Sequence, residues 1–344
     1  MKREAEQKVS GGTAPGEQGA PPDLTFVVPV HNAEAHLPRL VRNVSNLGRD
    51  GLRCQMVFVD DASSDGSVAV LKDLAGRYPG IELIESPENR GAGLARNAGW
   101  ARAAGRYTIF FDADDILHGD VIHGAIADMD ADPELDTVLF AYRYEREETA
   151  SFTDMGYEDK ITLAALLQGA PRATGDIEDM GRLLVFTNYP WNKILRTAHF
   201  RQAGMRFGKT RVNNDILGHW HSLLLARRIM VRDAIICTHI VHPQGGNITN
   251  SSGRDRLQMF EALDETYDLL EANPHLRRRF AHFYWILANR LVRWARPRLD
   301  PDFRLPFEMR YTDLLMRLDL GDLARMRTRH SPDLACALVN HLIR

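Results

Sequence analysis

Cysteine is scarce in this sequence: Cys54, Cys237 and Cys336 are the three in 344 residues, far apart and without a CxxC pair. Such spacing supports neither a disulfide framework nor a zinc site, and it fits a reducing cytoplasm. Long apolar runs are lacking as well. No stretch approaches the roughly 18–20 residues that cross a bilayer, and the opening MKREAEQKVSGGTAPGEQGAPP carries no hydrophobic core of a signal peptide. Residues 1–22, polar and rich in Gly and Pro, are expected to form a disordered leader, and without secretion the sequons at Asn43, Asn247 and Asn250 read as chance matches. A strong charge of one sign is missing too. The net value of −3 gives no basic face for nucleic acid, and no RNA or DNA motif occurs. GAGLARNAG, residues 91–99, fails the GxGxxG pattern of dinucleotide binders, and no GxxxxGK[ST] loop exists. No internal repeat occurs.

What the chain does have is 44% hydrophobic content, enough for one substantial core and a smaller one, and a unit that recurs. LTFVVPV (24–30) has strand length, and HNAEAHLPRLVRNVSNL after it spaces Leu37, Leu40, Val41, Val44 and Leu47 as a helix does, with Asn32 as its expected N-cap. A second strand ends at Val59, followed by an acidic turn and a helix that Ser64 or Asp65 would start. IELIE and GLARNAGWARAAG make a third pair, and YTIFF (107–111) a fourth strand. Four strand-then-helix units within about ninety residues predict a parallel α/β sheet with helices on both faces. Ligands of such sheets sit beyond the carboxyl ends of the strands.

That edge is where the polar clusters fall. Pro29 to Asn32 follow the first strand, Asp60 and Asp61 the second, Asn89 to Gly93 the third, and Asp112, Asp114 and Asp115 the fourth. Taken singly each is an ordinary turn composition, and Asp114 or Asp115 could simply cap a following helix. Together they are harder to assign to turns alone. Three carboxylates within four positions resist burial unless a cation or donors sit among them, and a hard divalent cation that leaves coordination sites for phosphate oxygens suits them best.

Past Asp136 the pattern changes. LDTVLFAYRYERE reads as a strand, residues 150–185 as mixed with one short helix, ITLAALLQG. Trp191, Asn192 and Lys193 precede an amphipathic segment, and Asn213, Asn214 and Asp215 head a helix. IICTHIVH (235–242) is strand-like and ends in a polar glycine loop. From Arg254 the chain is helical in character and rich in Arg between 277 and 298.

The pieces FVVPVHNAEAHLPRLVRNV, MVFVDDASSDGS, NRGAGLARNAGWARAAGRYTIFFDADD, PWNKILRTAHF and the Asn-Asp pair at 214–215 resemble, in order and spacing, the inverting family 2 glycosyltransferases of GT-A fold that build bacterial surface polysaccharides. The resemblance covers roughly residues 23–250. It implies a GT-A domain over 23–250, with a nucleotide-binding half (23–135) and an acceptor half (136–250), followed by a helical region over 251–344. It implies that Pro29, Val30, Asn32, Asp60 and Asp61 hold the base and ribose of a nucleotide-diphosphate sugar, expected to be a UDP-sugar, and that Arg96 faces the diphosphate. Asp114 would ligate Mn²⁺ or Mg²⁺, with Asp112 near the ribose or the metal and Asp115 in support. Asp215 would be the general base toward a hydroxyl of a glycan or lipid-linked acceptor. The family usually has Glu where this chain has Asn214, which removes a neighbouring negative charge.

Further candidates are Trp191, by sugar stacking or as core, and Lys193, both toward the acceptor, and His242, rather than His239, as a third metal ligand. His219 and His221, two apart on one helix, do not share a face and make no metal pair. Two other readings stand beside this one. A nucleotidyltransferase would carry a Gly-rich basic loop after the first strand, where this chain has PVHNAEAH. A non-catalytic assembly partner is supported by Asn214 alone. The Arg-rich tail could form a peripheral contact with anionic membrane or a homodimer contact, or be a solvated face.

Overall fold

The computed structural model describes residues 8–10, 21–146, 149, 151–241 and 251–343. Its first elements are β1 (Lys8–Ser10), β2 (Leu24–Val30), α1 (Leu37–Arg49), β3 (Cys54–Asp60), α2 (Ser67–Arg77), β4 (Ile81–Glu85), α3 (Ala92–Arg102) and β5 (Tyr107–Phe110). β2, β3, β4 and β5 are parallel, in the order β4-β3-β2-β5. Alternation along β3 explains the layers. Val57 and Val59 pack with Ala95 of α3, whereas Met56 and Phe58 join the core that holds Leu40 of α1 and Leu71 and Leu74 of α2. Helices therefore bury both faces, as near-continuous apolar strands require.

The helix starts differ from expectation. α1 begins at Leu37 with Pro38 in its first turn, where the missing proline N–H costs nothing. Asn32 is not its cap; its backbone is left-handed at φ 53°. α2 begins at Ser67, whose N–H and hydroxyl both donate to Asp65. No helix follows Asp115 directly, and Lys8–Ser10 of the expected leader pairs antiparallel with β4.

The second half comprises β6 (Ile116–Leu117), α4 (Ile122–Ala131), β7 (Leu135–Arg146), β8 (Ser151–Asp154), α5 (Tyr157–Leu167), β9 (Arg172–Gly175), α6 (Ile177–Met180), β10 (Lys193–Arg196), α7 (Thr197–Gln202), α8 (Asp215–Leu224) and β11 (Arg228–Val241). Here the sheet becomes mixed. β10 inserts antiparallel between β5 and β7, and β7 runs parallel to a β11 that starts seven residues before the expected strand. β6 closes the order as the antiparallel neighbour of β11.

Five helices follow: α9 (Gln258–Glu271), α10 (Pro274–Ala295), α11 (Pro301–Leu315), α12 (Leu320–Arg325) and α13 (Pro332–Leu342). One continuous apolar cluster runs from Leu24 to Leu338, so these helices share the core of the sheet. Several arginines of this region are spent on ion pairs between its helices. Arg317 reaches Asp264, Asp268 and Glu271 at 2.6–2.9 Å, and Arg296 reaches Glu308 at 2.7 Å. Among the described residues no helix is long and apolar enough to cross a membrane.

Candidate active site

The carboxyl ends of β2, β3, β4 and β5 deliver their turns to one edge, and hydrogen bonds tie those turns together. Asn32 Oδ1 accepts from the Ser64 N–H at 2.8 Å, and the Asn32 N–H donates to Ser63 Oγ at 3.0 Å. The left-handed backbone of Asn32 aims these groups across the gap, which an amide side chain tolerates better than most. Asp61 has both carboxylate oxygens engaged, by the N–H groups of Arg90 at 2.8 Å and Gly91 at 2.7 Å. Its main chain is fixed too, since its N–H donates to Val30 O at 2.7 Å and its carbonyl meets His31 Nδ1 at 3.0 Å. Asp60 differs: one oxygen accepts from the Ser63 N–H at 3.1 Å, while its Oδ1 is buried and has no partner. A buried carboxylate oxygen with spare capacity is a natural acceptor for a ligand N–H or hydroxyl. Pro29 lies half-buried within β2, opposite Val59.

The turn after β5 holds the densest charge. Asp112 is half-buried, and its Oδ1 accepts from Arg96 Nη2 at 2.6 Å. The Asp114 carbonyl accepts from Arg39 of α1 at 2.7 Å, which fixes the main chain independently of the carboxylate. Asp115 is 1% exposed and accepts from the Ile240 N–H at 3.0 Å and meets His239 Nδ1 at 2.9 Å. Burial pushes the Asp115 carboxyl up and the imidazole counters this. Burial alone would lower His239, but Asp115, Asp112 and Asp114 together hold it above its ordinary value.

Arg96 connects this turn to the second half of the molecule. Only 5% exposed, it gives Nη2 to Asp112 and Nη1 to Asn214 Oδ1 at 2.9 Å. Close packing makes the link. A Cβ at Gly93 would fall 2.1 Å from Gly208 O and 2.8 Å from Asn214 Cβ, so only glycine lets the start of α3 approach this loop. Asn97 fastens the same loop, exchanging hydrogen bonds with the Phe207 N–H at 2.8 Å and carbonyl at 3.0 Å. Asp215 is the first residue of α8, and the Asn214 side chain makes no cap bond there. Burial pushes the Asp215 carboxyl above the usual carboxylate range; Arg96 and the amide of Asn188 oppose this, while Asp112 adds to it.

The sequence pattern described as Glycosyl transferase family 2 matches residues 25–217, more than half of the chain. The chain belongs to that family. Its relatives include the succinoglycan biosynthesis protein ExoO of Rhizobium meliloti, 36% identical over 110 residues, or 32% of this chain and 30% of ExoO. Another is the putative glycosyltransferase EpsH of Bacillus subtilis, 26% identical over 193 residues, or 54% of this chain and 50% of EpsH. The chain thus spans at most half the length of these two. Among solved structures, S. aureus TarS 1-349 in complex with UDP-GlcNAc superposes with a TM-score of 0.70 at 18% identity, covering 93% of this chain and 89% of that one. The mannosyltransferase PcManGT from Pyrobaculum calidifontis, in complex with GDP-Man and Mn²⁺, gives 0.53 at 17% identity, covering 94% and 86%. These likenesses establish the GT-A fold expected from the sequence.

The glycosyltransferase fold of this chain brings Asp60, Asp61, Arg96, Asp112, Asp114 and Asp215 to one edge, but not every candidate is offered to a ligand. Trp191 is 0% exposed, stacked on Tyr189 with ring centroids 4.5 Å apart. In this arrangement it is core rather than an open platform for a sugar. Lys193, 2% exposed, donates to Tyr189 O at 2.7 Å and Asn192 Oδ1 at 2.6 Å, so its ammonium is engaged within the protein. Burial pulls that amine down to about 7. His219 and His221 are each engaged by a main-chain carbonyl, of Leu183 and Arg206 respectively, and do not converge. His242 lies outside the described residues, whereas its rival His239 is the residue paired with Asp115. A divalent cation fits the oxygen donors of the Asp112–Asp115 turn only in part. Among the described residues no group of three or more His, Cys, Asp or Glu converges on one point, so the protein would supply a minority of the ligands and leave the rest to phosphate and water.

Proposed function

We propose that this family 2 glycosyltransferase moves a sugar from a nucleotide-diphosphate donor, a UDP-sugar, to a hydroxyl of a glycan or lipid-linked acceptor with inversion at the anomeric carbon. The observation that carries this reading is the Arg96 bridge. One buried guanidinium touches Asp112 on the donor side and Asn214, next to Asp215, on the other, so the carboxylate turn and the candidate base lie within one side chain's span. The known ligands of the structural neighbours, UDP-GlcNAc and GDP-Man with Mn²⁺, support the donor class.

In this scheme Asp60 and Asp61 border the base and ribose, and Asp112 and Asp114 face the diphosphate. Mn²⁺ or Mg²⁺, held by Asp114 with Asp112, would neutralise charge developing on the departing nucleoside diphosphate. Asp215 takes the proton of the acceptor hydroxyl as that oxygen attacks the anomeric carbon and the bond to the diphosphate breaks. A carboxyl raised by burial is a better proton acceptor than an exposed one. The Asn at 214 keeps a neutral acceptor on Arg96 in place of a second charge beside the base.

Calorimetric titration with UDP, GDP, CDP and dTDP, each with Mn²⁺ and with EDTA, tests the donor half. Binding of UDP that depends on the metal is the expected result. Absence of binding by every nucleotide would overturn the reading in favour of a non-catalytic assembly partner.

A further inference from the structure

β11 pairs along one side with β9 as far as Arg232 and with β6 from Cys237 onward, and register shifts around Ile235 leave Asp233, Ala234 and Ile235 without a strand on that side. A bulge of this kind opens the sheet. Here it opens a notch of about 410 Å³, within the usual range of ligand clefts, whose other walls include His118 and Asp120 after β6 and Arg143 of β7. Arg143 is half-buried and held from two sides: its Nε donates to Thr238 Oγ1 at 2.9 Å, and its guanidinium lies 4.3 Å from the centre of the Phe152 ring. The same buried Thr238 hydroxyl meets His118 Nε2 at 2.7 Å. Both side chains are thus fixed, yet among the described residues the Nη1 and Nη2 groups of Arg143 and the carboxylates of Asp120 and Asp233 make no hydrogen bond or ion pair.

Charge and shape narrow what fits. Two carboxylates against one guanidinium leave the wall negative, which disfavours an anion. Burial and the charge of Arg143 hold the His118 imidazole below its ordinary value, so it adds no positive charge near neutrality. His118, Asp120 and Asp233 do not converge on one point, so they cage no metal ion either. What satisfies a fork of donors and two separate acceptors at once is a ligand with several hydroxyls, each both donor and acceptor, while Val121, Ala234 and Ile235 offer apolar wall to its C–H groups. We propose that the notch is a subsite for an uncharged sugar of the acceptor, so that the acceptor is a chain of several sugars. This rests on the reading of the protein as a transferase to a glycan hydroxyl. Position connects the notch to that site. Arg143 and Thr238 are ladder partners, as are their neighbours Tyr144 and His239, and alternation puts the first pair on the opposite face of the sheet from the second. β6 is the last strand in the order, and His118 follows Asp115 by three residues, about 10 Å of extended chain. A saccharide bound at the edge beside Asp115 can therefore turn round the short β6 and seat a later sugar in the notch.

The test follows the NMR signals of the His118 and His239 rings and of the Arg143 Nε–H in the full chain. The titrants are glucose, galactose and N-acetylglucosamine, then maltotriose, cellotriose and chitotriose, with glucuronate as the anionic control. At least one neutral monosaccharide should move the His118 and Arg143 signals and leave His239 still, and a trisaccharide should move all three. Arg143→Ala, and Asp233→Asn on the exposed rim, should each weaken that binding about tenfold. Should Arg143→Ala fail to fold, Asp233→Asn and Asp120→Asn carry the comparison, because neither carboxylate is paired. Signals indifferent to every neutral sugar would overturn the inference. So would glucuronate binding more tightly than glucose, which marks an anion site, or trisaccharides that move His118 but never His239, which detach the notch from the acceptor path. The donor reading fails separately. Sugar binding in the notch with no nucleotide bound in calorimetry would keep a saccharide site and remove the transfer, whereas metal-dependent UDP binding beside a silent notch would remove only the subsite.

Discussion

Asp61 and Asp215 are the same residue type at the same sheet edge, yet they are held in opposite ways. The oxygens of Asp61 accept from two main-chain N–H groups of the loop that opens α3. For Asp215 the chief group that opposes burial is a side chain instead, the guanidinium of Arg96. Main-chain donors cannot turn away without moving the loop, so Asp61 fixes the shape of the edge. A side-chain guanidinium can be shared with a ligand, which suits the proton uptake proposed for Asp215. What separates the building carboxylate from the one proposed to react is which kind of donor faces it, and burial alone does not.

The largest expected effect is at Asp215. Asp215→Asn keeps the shape and removes the proton acceptor, so transfer should fall by about 10²–10⁴-fold, the usual contribution of a general base, while calorimetric affinity for UDP with Mn²⁺ stays within a factor of a few. Equal loss of both would show that Asp215 holds the site's structure rather than taking the proton. The reverse is expected at Asp61. Asp61→Ala strands two buried N–H groups and should cost about 3 kcal/mol of stability, read from urea unfolding, with donor affinity lost only as far as the loop is lost. Stability within about 0.5 kcal/mol of wild type would remove the contrast.

Asp114 lies between these cases. Arg39 holds its carbonyl, so Asp114→Ala should leave the turn in place and weaken metal-dependent UDP binding by about 10–100-fold, a loss typical of a disturbed metal site. The sensitive readout is the ratio of affinities with Mn²⁺ and with EDTA. A ratio equal to that of the wild type would move the metal elsewhere.

The nucleotide half was legible because its contacts are local in kind. Each strand is followed by the helix that covers it, so the spacing of Leu37, Leu40, Val41, Val44 and Leu47 was sufficient to place α1, although Asn32 was misread as its cap because cross-turn bonds to Ser63 and Ser64 have no local signature. The second half depends on pairings between distant segments. β10 lies antiparallel between β5 and β7, and His239 meets Asp115 from 124 positions away; no periodicity encodes either. Trp191 and Lys193 show the limit most clearly. A tryptophan and a lysine before an amphipathic segment suit a sugar platform and an acceptor contact, but the folded chain stacks one on Tyr189 and turns the other onto the Tyr189 carbonyl.

Lys193 also supplies the smallest and most specific prediction, because its ammonium is satisfied by the Tyr189 carbonyl and the Asn192 amide oxygen, yet feels the charge of Asp215. Burial lowers its folded value to about 7, against roughly 10.4 in an unfolded chain. Between these values the unfolded state binds the extra proton, so stability must rise with pH across that window, and the cost of burying an ammonium is fully present below it. From pH 6.5 to pH 9 this group should add about 2.5 kcal/mol to the wild type, a gain that Lys193→Met cannot make. The absolute stability of the variant is not diagnostic, since methionine loses two hydrogen bonds and gains apolar burial at once. The difference in slope is diagnostic. If urea midpoints of wild type and variant run parallel from pH 6.5 to pH 9, the amine does not change its protonation on folding, and the cation beside the base stays charged throughout the working range of the site.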